Sequence, residues 1–128
     1  MQTRNALENP PEKPADEIWS RIGQGQFPTI GVALDTGWCG TQDFDALDAV
    51  KRFVDKGKLF ILHLKDVTQK GGHGTCALGD GIIPCEKIVR YIKQAKWEGT
   101  ICIEHEPYDR DPMPEVKTSL ERVKKWRA

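Results

Sequence analysis

The strongest constraint on the fold of this sequence is a repeated switch in the spacing of its apolar residues. Short runs rich in Ile, Val and Leu, as expected of strands buried on both faces, alternate with longer segments whose apolar residues recur at helical spacing. The four predicted strands are Asn5–Glu8, Thr29–Asp35, Leu59–Leu64 and Thr100–Glu104. Strand and helix therefore alternate four times, which predicts an α/β fold with a parallel sheet and right-handed crossovers.

The helical segments between these runs carry start and stop signals. A proline followed by acids predicts a helix over Pro14–Ile22. Asp43 is a candidate N-cap of a second helix that Gly57 ends, and Pro84 and Pro114 open the third and fourth. The predicted inward faces of the last three helices are Phe44, Leu47, Val50, Phe53 and Val54; Ile88, Val89, Ile92 and Ala95; and Val116, Leu120 and Val123.

The length of the chain limits how many such units it holds. Its 128 residues suffice for one compact domain, residues 1–128, and no linker-like stretch divides it. A complete eight-unit barrel takes roughly 250 residues. The chain, as a single domain, therefore holds about half the strand–helix units of a (β/α) barrel of the TIM type.

Composition narrows the classes of partner and compartment. The 19 Lys and Arg residues balance 19 Asp and Glu residues, and zero net charge argues against nucleic acid or an anionic membrane as a partner. No apolar run approaches the roughly 18 residues of a membrane span. Four cysteines without metal-type spacing, and no recognisable export signal, lead us to expect free thiols in a reducing, cytoplasmic compartment.

Each predicted strand ends at a side chain that can bind a metal: Glu8, Asp35, His63 and Glu104. The carboxyl ends of the strands of a parallel barrel meet at its active-site face. A single acid at such a position commonly caps the next helix or lies in solvent, whereas four polar strand ends in register favour a shared site. Three carboxylates and one imidazole suit Mn²⁺, Mg²⁺ or Co²⁺ better than structural Zn²⁺.

Four motifs carry a resemblance to a known family. They are Ile30-Gly-Val-Ala-Leu-Asp-Thr-Gly37, His63-Leu-Lys-Asp66, Leu78-Gly-Asp-Gly81 and Ile103-Glu-His-Glu106, and Leu7-Glu8-Asn9 adds the end of a strand. In this order, from about residue 5 to residue 126, they resemble the second half of a sugar phosphate isomerase/epimerase with a xylose isomerase-like TIM barrel. The resemblance implies that the chain is the C-terminal half of such a barrel, strands five to eight.

The same resemblance implies a metal site and a reaction. Glu8, Asp35, His63 and Glu104 are expected to hold one divalent ion, with Mn²⁺ ahead of Mg²⁺, Co²⁺ or Zn²⁺. Two carboxylates, matching Glu8 and Glu104, are expected to move a proton on a ketose through an enediolate. That chemistry predicts a divalent-metal-dependent sugar (phosphate) isomerase or epimerase.

Three further residues are candidates for substrate binding. Trp38 stands where the family often has His, and its ring either faces a sugar or serves packing. His73, in a Gly-rich loop, is a candidate to replace that His, the alternative being a solvent-exposed loop residue. Lys65 shares the face of His63 and is a candidate ligand for a substrate oxygen or phosphate, or a surface lysine. Glu106 shares the face of Glu104 and is expected to orient a ligand.

Other functions stay open at this level. A dehydratase or lyase, such as an inosose dehydratase-like enzyme, uses the same kind of site, and a non-catalytic fragment is a further alternative. An AP endonuclease-like barrel needs more metal ligands and a basic DNA-binding face, and three His residues with zero net charge count against it. The resemblance implies a small-molecule sugar as a partner. A half-barrel leaves sheet edges exposed, so a second copy of the chain or a complementing N-terminal half-barrel is also an expected partner.

Overall fold

The computed structural model describes residues 3–9, 17–42 and 44–128. A 3₁₀ turn at Gly23–Gly25 precedes the second strand. Among the described residues, no helix is both long and apolar enough to cross a membrane. The strands and helices are β1 (Asn5–Glu8), α1 (Glu17–Arg21), β2 (Ile30–Asp35), α2 (Thr36–Thr41), α3 (Ala46–Asp55), β3 (Leu59–Leu64), β4 (Asp66–Val67), β5 (Thr75–Cys76), α4 (Cys85–Gln94), β6 (Thr100–Ile103) and α5 (Met113–Arg127).

The four long strands form one parallel sheet in the order β1, β2, β3, β6, with helices in the connections. The predicted α/β fold with a parallel sheet is therefore confirmed. Glu8 is the last residue of β1, and Asp35 lies opposite His63 in the β2–β3 register. The Glu104 N–H donates to the Leu64 carbonyl at 3.0 Å, which continues the ladder one residue beyond β6. The sheet thus brings the polar ends of its strands side by side.

The helices pack on one face of the sheet and bury its aliphatic side chains. Val32 and Leu34 of β2 and Leu62 and Leu64 of β3 are all 0% exposed. Burial of each such side chain contributes about 1.5–3 kcal/mol. Their partners in α3 and α4 include Ala49, Val50, Phe53, Ile88, Val89 and Ile92. This core fixes the strands from one side, while the opposite face carries the strand-end polar groups.

The start of α3 lies close to the predicted position but uses a different cap. Asp43, the predicted N-cap, lies outside the described residues. The observed N-cap is Asp45, whose carboxylate accepts the Asp48 N–H at 2.9 Å. The predicted helix over Pro14–Ile22 is described only from Glu17 onward, as α1.

Two predicted core positions of the last helices are wrong. Leu120 is 44% exposed, because α5 turns Ser119, Val123 and Trp126 toward the protein instead. These three positions follow helical spacing, and the Ser119 hydroxyl accepts the Leu78 N–H at 3.0 Å. Ala95 is exposed because α4 ends before it and Ala95 occupies the C-cap position.

One buried carboxylate organises the connection between β3 and α4. Asp66 is 0% exposed, and its two oxygens accept the N–H groups of Val67 at 3.0 Å, Gly79 at 2.8 Å, Gly81 at 3.0 Å and Ile83 at 2.9 Å. A Cβ atom at Gly81 would lie 2.3 Å from Asp66 Oδ1 and from the Val67 carbonyl oxygen, so only glycine fits there. Asp66 therefore holds the backbone of the connection between β3 and α4 in one conformation.

Candidate metal centre and substrate site

The four predicted ligands meet at the carboxyl end of the sheet. One ligand atom from each of Glu8, Asp35, His63 and Glu104 lies within 4.8 Å of the others. Strands β1, β2 and β3 and the residue after β6 supply one ligand each. Oxygen and nitrogen ligands lie about 2.0–2.2 Å from a bound divalent ion, so they are roughly 3–4 Å from one another. Small side-chain shifts are enough to bring this cluster to that spacing.

The Asp35 carboxylate uses one oxygen for structure and leaves the other without a donor. Its Oδ1 accepts the N–H groups of Gly37 at 2.7 Å and Trp38 at 3.2 Å, and so caps α2. Its Oδ2 is buried and has no hydrogen-bond partner among the described residues, with Lys65 Nζ 3.9 Å away. Burial raises the pKa of Asp35 to about 6, against the opposing effect of Lys65. A buried carboxylate oxygen without a donor is costly unless a cation faces it, so this atom fits a bound divalent ion.

His63 lies between the carboxylates of Glu8 and Glu104. Its Nδ1 is 3.1 Å from Glu8 Oε1 and 3.1 Å from Glu104 Oε2. The side chain of Glu8 is 45% exposed and that of Glu104 is 26% exposed, so both are accessible from solvent. The cluster contains three carboxylates, and the single nitrogen of His63 that faces them cannot donate a hydrogen bond to all three or balance their charge. The donor set therefore has an excess of negative charge, which suits a divalent cation.

Lys65 places a positive charge at the edge of this cluster. It follows β3 directly, and its side chain is only 5% exposed. Its Nζ donates to Glu104 Oε1 at 3.0 Å and to Glu106 Oε2 at 2.8 Å. Burial acts to lower the pKa of Lys65, but the hydrogen bonds to Glu106 and Glu104 outweigh it and leave the pKa raised. The same contact lowers the pKa of Glu106. Lys65 is therefore a stable cation bonded to two carboxylates.

The two aromatic candidates for substrate binding lie together beside the cluster. The Trp38 and His73 ring centroids are 5.8 Å apart, with an edge-to-face angle of 66°. Trp38 is half-buried on α2, whereas His73 is exposed in the loop between β4 and β5. A cleft joins these two rings to Lys65, Glu106 and Tyr108. The structure thus gathers the predicted substrate residues at one place, and their role in binding stays a prediction.

Two residues that position the site are not evident from the sequence patterns. Asn9 is 1% exposed, and its side chain accepts the Asp35 N–H at 2.7 Å and donates to the Asp35 carbonyl at 3.1 Å. The Thr36 hydroxyl donates to the Lys65 carbonyl at 2.7 Å and accepts the Lys65 N–H at 2.9 Å. Both residues join neighbouring strand ends. Each directly follows a strand-end ligand, and that position is the signal by which the sequence could have indicated them.

Comparison with known proteins places this arrangement in a family. Residues 4–126 match the family model described as xylose isomerase-like TIM barrel. The chain belongs to the xylose isomerase-like TIM barrel family. No curated protein shows significant sequence similarity to this xylose isomerase-like chain.

Three solved structures of similar fold are each about twice as long as this xylose isomerase-like chain. Mannonate dehydratase from Streptococcus suis serotype 2 superposes with a TM-score of 0.80 at 14% identity, covering 97% of this chain and 42% of that protein. A D-tagatose 3-epimerase-like protein gives 0.76 at 18% identity, covering 96% and 46%. The IOLI protein, solved with a zinc atom, gives 0.66 at 15% identity, covering 88% and 42%. At these identities the likeness shows the fold, and the chain spans less than half of each structure.

Proposed function

We propose that this chain carries the metal centre and both proton-transfer carboxylates of a divalent-metal-dependent sugar isomerase or epimerase. The observation that carries the proposal is the buried Asp35 Oδ2, which has no donor among the described residues and belongs to the four-residue cluster with Glu8, His63 and Glu104. Membership of the xylose isomerase-like TIM barrel family supports it, as do structural neighbours that include epimerases. Mn²⁺ is the ion we expect, because the donor set is rich in oxygen.

The chemistry divides between the ion and the carboxylates. Glu8, Asp35, His63 and Glu104 would hold a divalent ion, which would supply Lewis-acid polarisation of a ketose carbonyl. Glu8 and Glu104 lie on the two sides of His63 and are the proposed proton carriers. One carboxylate takes the proton from the carbon next to the carbonyl, which gives an enediolate. Return of a proton to the other face gives the epimer, and its return to the neighbouring carbon gives the isomer.

The aromatic pair beside the cluster is the proposed substrate contact. Trp38 offers a ring face of the kind that packs against the C–H groups of a sugar, and His73 reaches the same cleft from a loop that is exposed to solvent. We propose that these two side chains hold the part of the ketose that does not react. Replacement of His73 by Ala is therefore expected to lower turnover without loss of the ion.

Hydrogen exchange on a ketose tests the proposed reaction directly. The Mn²⁺-loaded protein is incubated in D₂O with a panel of ketoses, with and without phosphate, and followed by NMR. We expect loss of the proton signal at the carbon next to the carbonyl, and epimer or isomer formation. Glu104→Gln should bind Mn²⁺ yet lose the exchange, because an amide cannot act as the base. Bound Mn²⁺ without exchange on any ketose contradicts the proposal.

A dehydratase is the second candidate, and the same assay distinguishes it. Among the structural neighbours are a mannonate dehydratase and a probable 3-DHS dehydratase, with TM-scores of 0.80 and 0.74. Loss of water from a sugar acid or polyol ketone also starts with removal of a proton beside a carbonyl or carboxylate. A product one water lighter than its substrate, with no epimer, supports this candidate over the isomerase.

A further inference from the structure

We propose that Lys65 is a positioning residue that fixes the orientation of the Glu104 carboxylate, an inference that rests on the proposed function of Glu104 as a proton carrier. The sequence alone makes Lys65 a candidate substrate ligand. Its contacts instead direct the ammonium group at the protein's own carboxylates. The ammonium group donates charge-assisted hydrogen bonds to Glu104 at 3.0 Å and to Glu106 at 2.8 Å.

Both oxygens of Glu104 are engaged, and each faces a different residue of the same strand end. Oε1 accepts from Lys65 Nζ at 3.0 Å, and Oε2 lies 3.1 Å from His63 Nδ1. Two contacts on opposite oxygens fix the plane of a carboxylate as well as its position. Without the ammonium group Oε1 loses its donor, and the carboxylate is restrained only through Oε2, by His63 or by the ion that the cluster would hold.

Lys65 is itself held on several sides, which makes it a rigid support. The Trp38 ring lies under the ammonium group, with Nζ 4.8 Å from the ring centroid. The Thr36 hydroxyl bonds both the N–H and the carbonyl of Lys65. Glu106 supplies a second anionic partner. Trp38, which stands where the family often has His, therefore has a role in this site that needs no proton transfer.

The other proposed proton carrier has no comparable support among the described residues. Glu8 is 45% exposed, and its one polar contact there is with His63. Glu104 is less exposed and has two partners. The site therefore pairs one fixed carboxylate with one adjustable carboxylate. Proton transfer requires the accepting carboxylate oxygen to lie within about 2.6–3.2 Å of the substrate atom that carries the proton. A Glu104 carboxylate that has lost its orientation should therefore reduce turnover more than substrate binding.

The kinetic test compares Lys65→Met and Lys65→Arg with Lys58→Met. Lys58 is the matched control, because it is also buried and stands at the opposite end of β3, where its Nζ donates to the carbonyls of Phe27 and Ile30. We expect Lys65→Met to lower kcat at least tenfold with KM within threefold, Lys65→Arg to recover part of the loss, and Lys58→Met to leave both constants unchanged. A tenfold rise in KM at constant kcat would identify Lys65 as a substrate ligand and overturn the proposal.

A spectroscopic test does not depend on turnover. The visible absorption of Co²⁺ reports the geometry of its ligands, so each variant is titrated with Co²⁺. Lys65→Met should change the band positions or intensities, whereas Lys58→Met should give the wild-type spectrum. An unchanged spectrum in Lys65→Met overturns the positioning role. A changed spectrum without turnover in the wild type supports the role of Lys65 while the isomerase proposal fails, and a wild type that binds no Co²⁺ overturns both.

Discussion

At the scale of single residues, Asp35 shows how one carboxylate serves structure and the proposed function together. Oδ1 caps α2, while Oδ2 is buried without a donor among the described residues. The folded pKa of about 6 lies above the ordinary value of 3.8, so the folded state binds the proton more tightly. The free energy of unfolding of the metal-free chain should therefore fall as pH rises from about 4 to about 6, by at most about 3 kcal/mol.

Replacement of Asp35 by Asn should remove this dependence. The amide oxygen can still accept from Gly37 and Trp38, and no charge is buried. We expect Asp35→Asn to raise the free energy of unfolding of the metal-free chain at pH 7 by about 1–2 kcal/mol and to abolish stabilisation by Mn²⁺. Urea denaturation at pH 4 and pH 7 measures both effects. A variant less stable than the wild type at pH 7 would show that the carboxylate charge is already compensated without an ion.

The sequence could indicate these residues because each ligand stands at the end of a recognisable strand. The strand ends and a parallel sheet are enough to predict that four side chains lie together: Glu8, Asp35, His63 and Glu104. The contacts of Lys65 could not be predicted in the same way. Its direction toward Glu104 and Glu106, away from solvent, depends on tertiary packing against Trp38, which no local pattern encodes.

At the scale of elements, the connection after β3 depends on Asp66. Its Oδ2 accepts the N–H groups of Gly79 and Gly81, and an amide nitrogen in that place would face two donors. Asp66→Asn should therefore lower the free energy of unfolding by about 2–4 kcal/mol. Asp80→Asn, in the same loop but half exposed and paired with Arg122, should cost less than about 1 kcal/mol. Thermal or urea unfolding of both variants checks this, and equal losses would contradict the role of Asp66.

The predicted strands lie close to the observed ones, but the helix details differ for local reasons. No sequence pattern predicts α2, because Thr36–Thr41 contains two glycines and has no apolar face of helical period. Its N-terminus depends on the Asp35 side chain. The predicted inward face of α5 is wrong at Leu120, because the sequence does not show that the Ser119 hydroxyl accepts the Leu78 N–H. The periodic spacing of apolar residues predicts such a helix. It does not determine which face of the helix packs against the protein when a polar residue is buried on that face.

At the scale of the whole molecule, the sheet has two open edges among the described residues. β1 and β6 each pair on one side only, and Thr100 and Cys102 are exposed on the face opposite the helices. Unpaired edges and an uncovered face favour association with further strands. We therefore predict that the chain, when no complementing half-barrel is present, self-associates. Sedimentation velocity checks this, and a monomer at micromolar concentration with a cooperative melt would contradict it.

The measurement that tests the central claim most directly is the thermal stability of the chain as Mn²⁺ is added. The wild type should gain roughly 2.7 kcal/mol at a hundredfold excess of Mn²⁺ over Kd, because the ion binds only the folded cluster. His63→Ala removes a cluster ligand and should lose most of that gain. His73→Ala, which removes an exposed histidine outside the cluster, should keep it. A wild type without a Mn²⁺-dependent shift, or a His63→Ala variant that shifts as much as His73→Ala, would contradict the assignment of Glu8, Asp35, His63 and Glu104 as a metal centre.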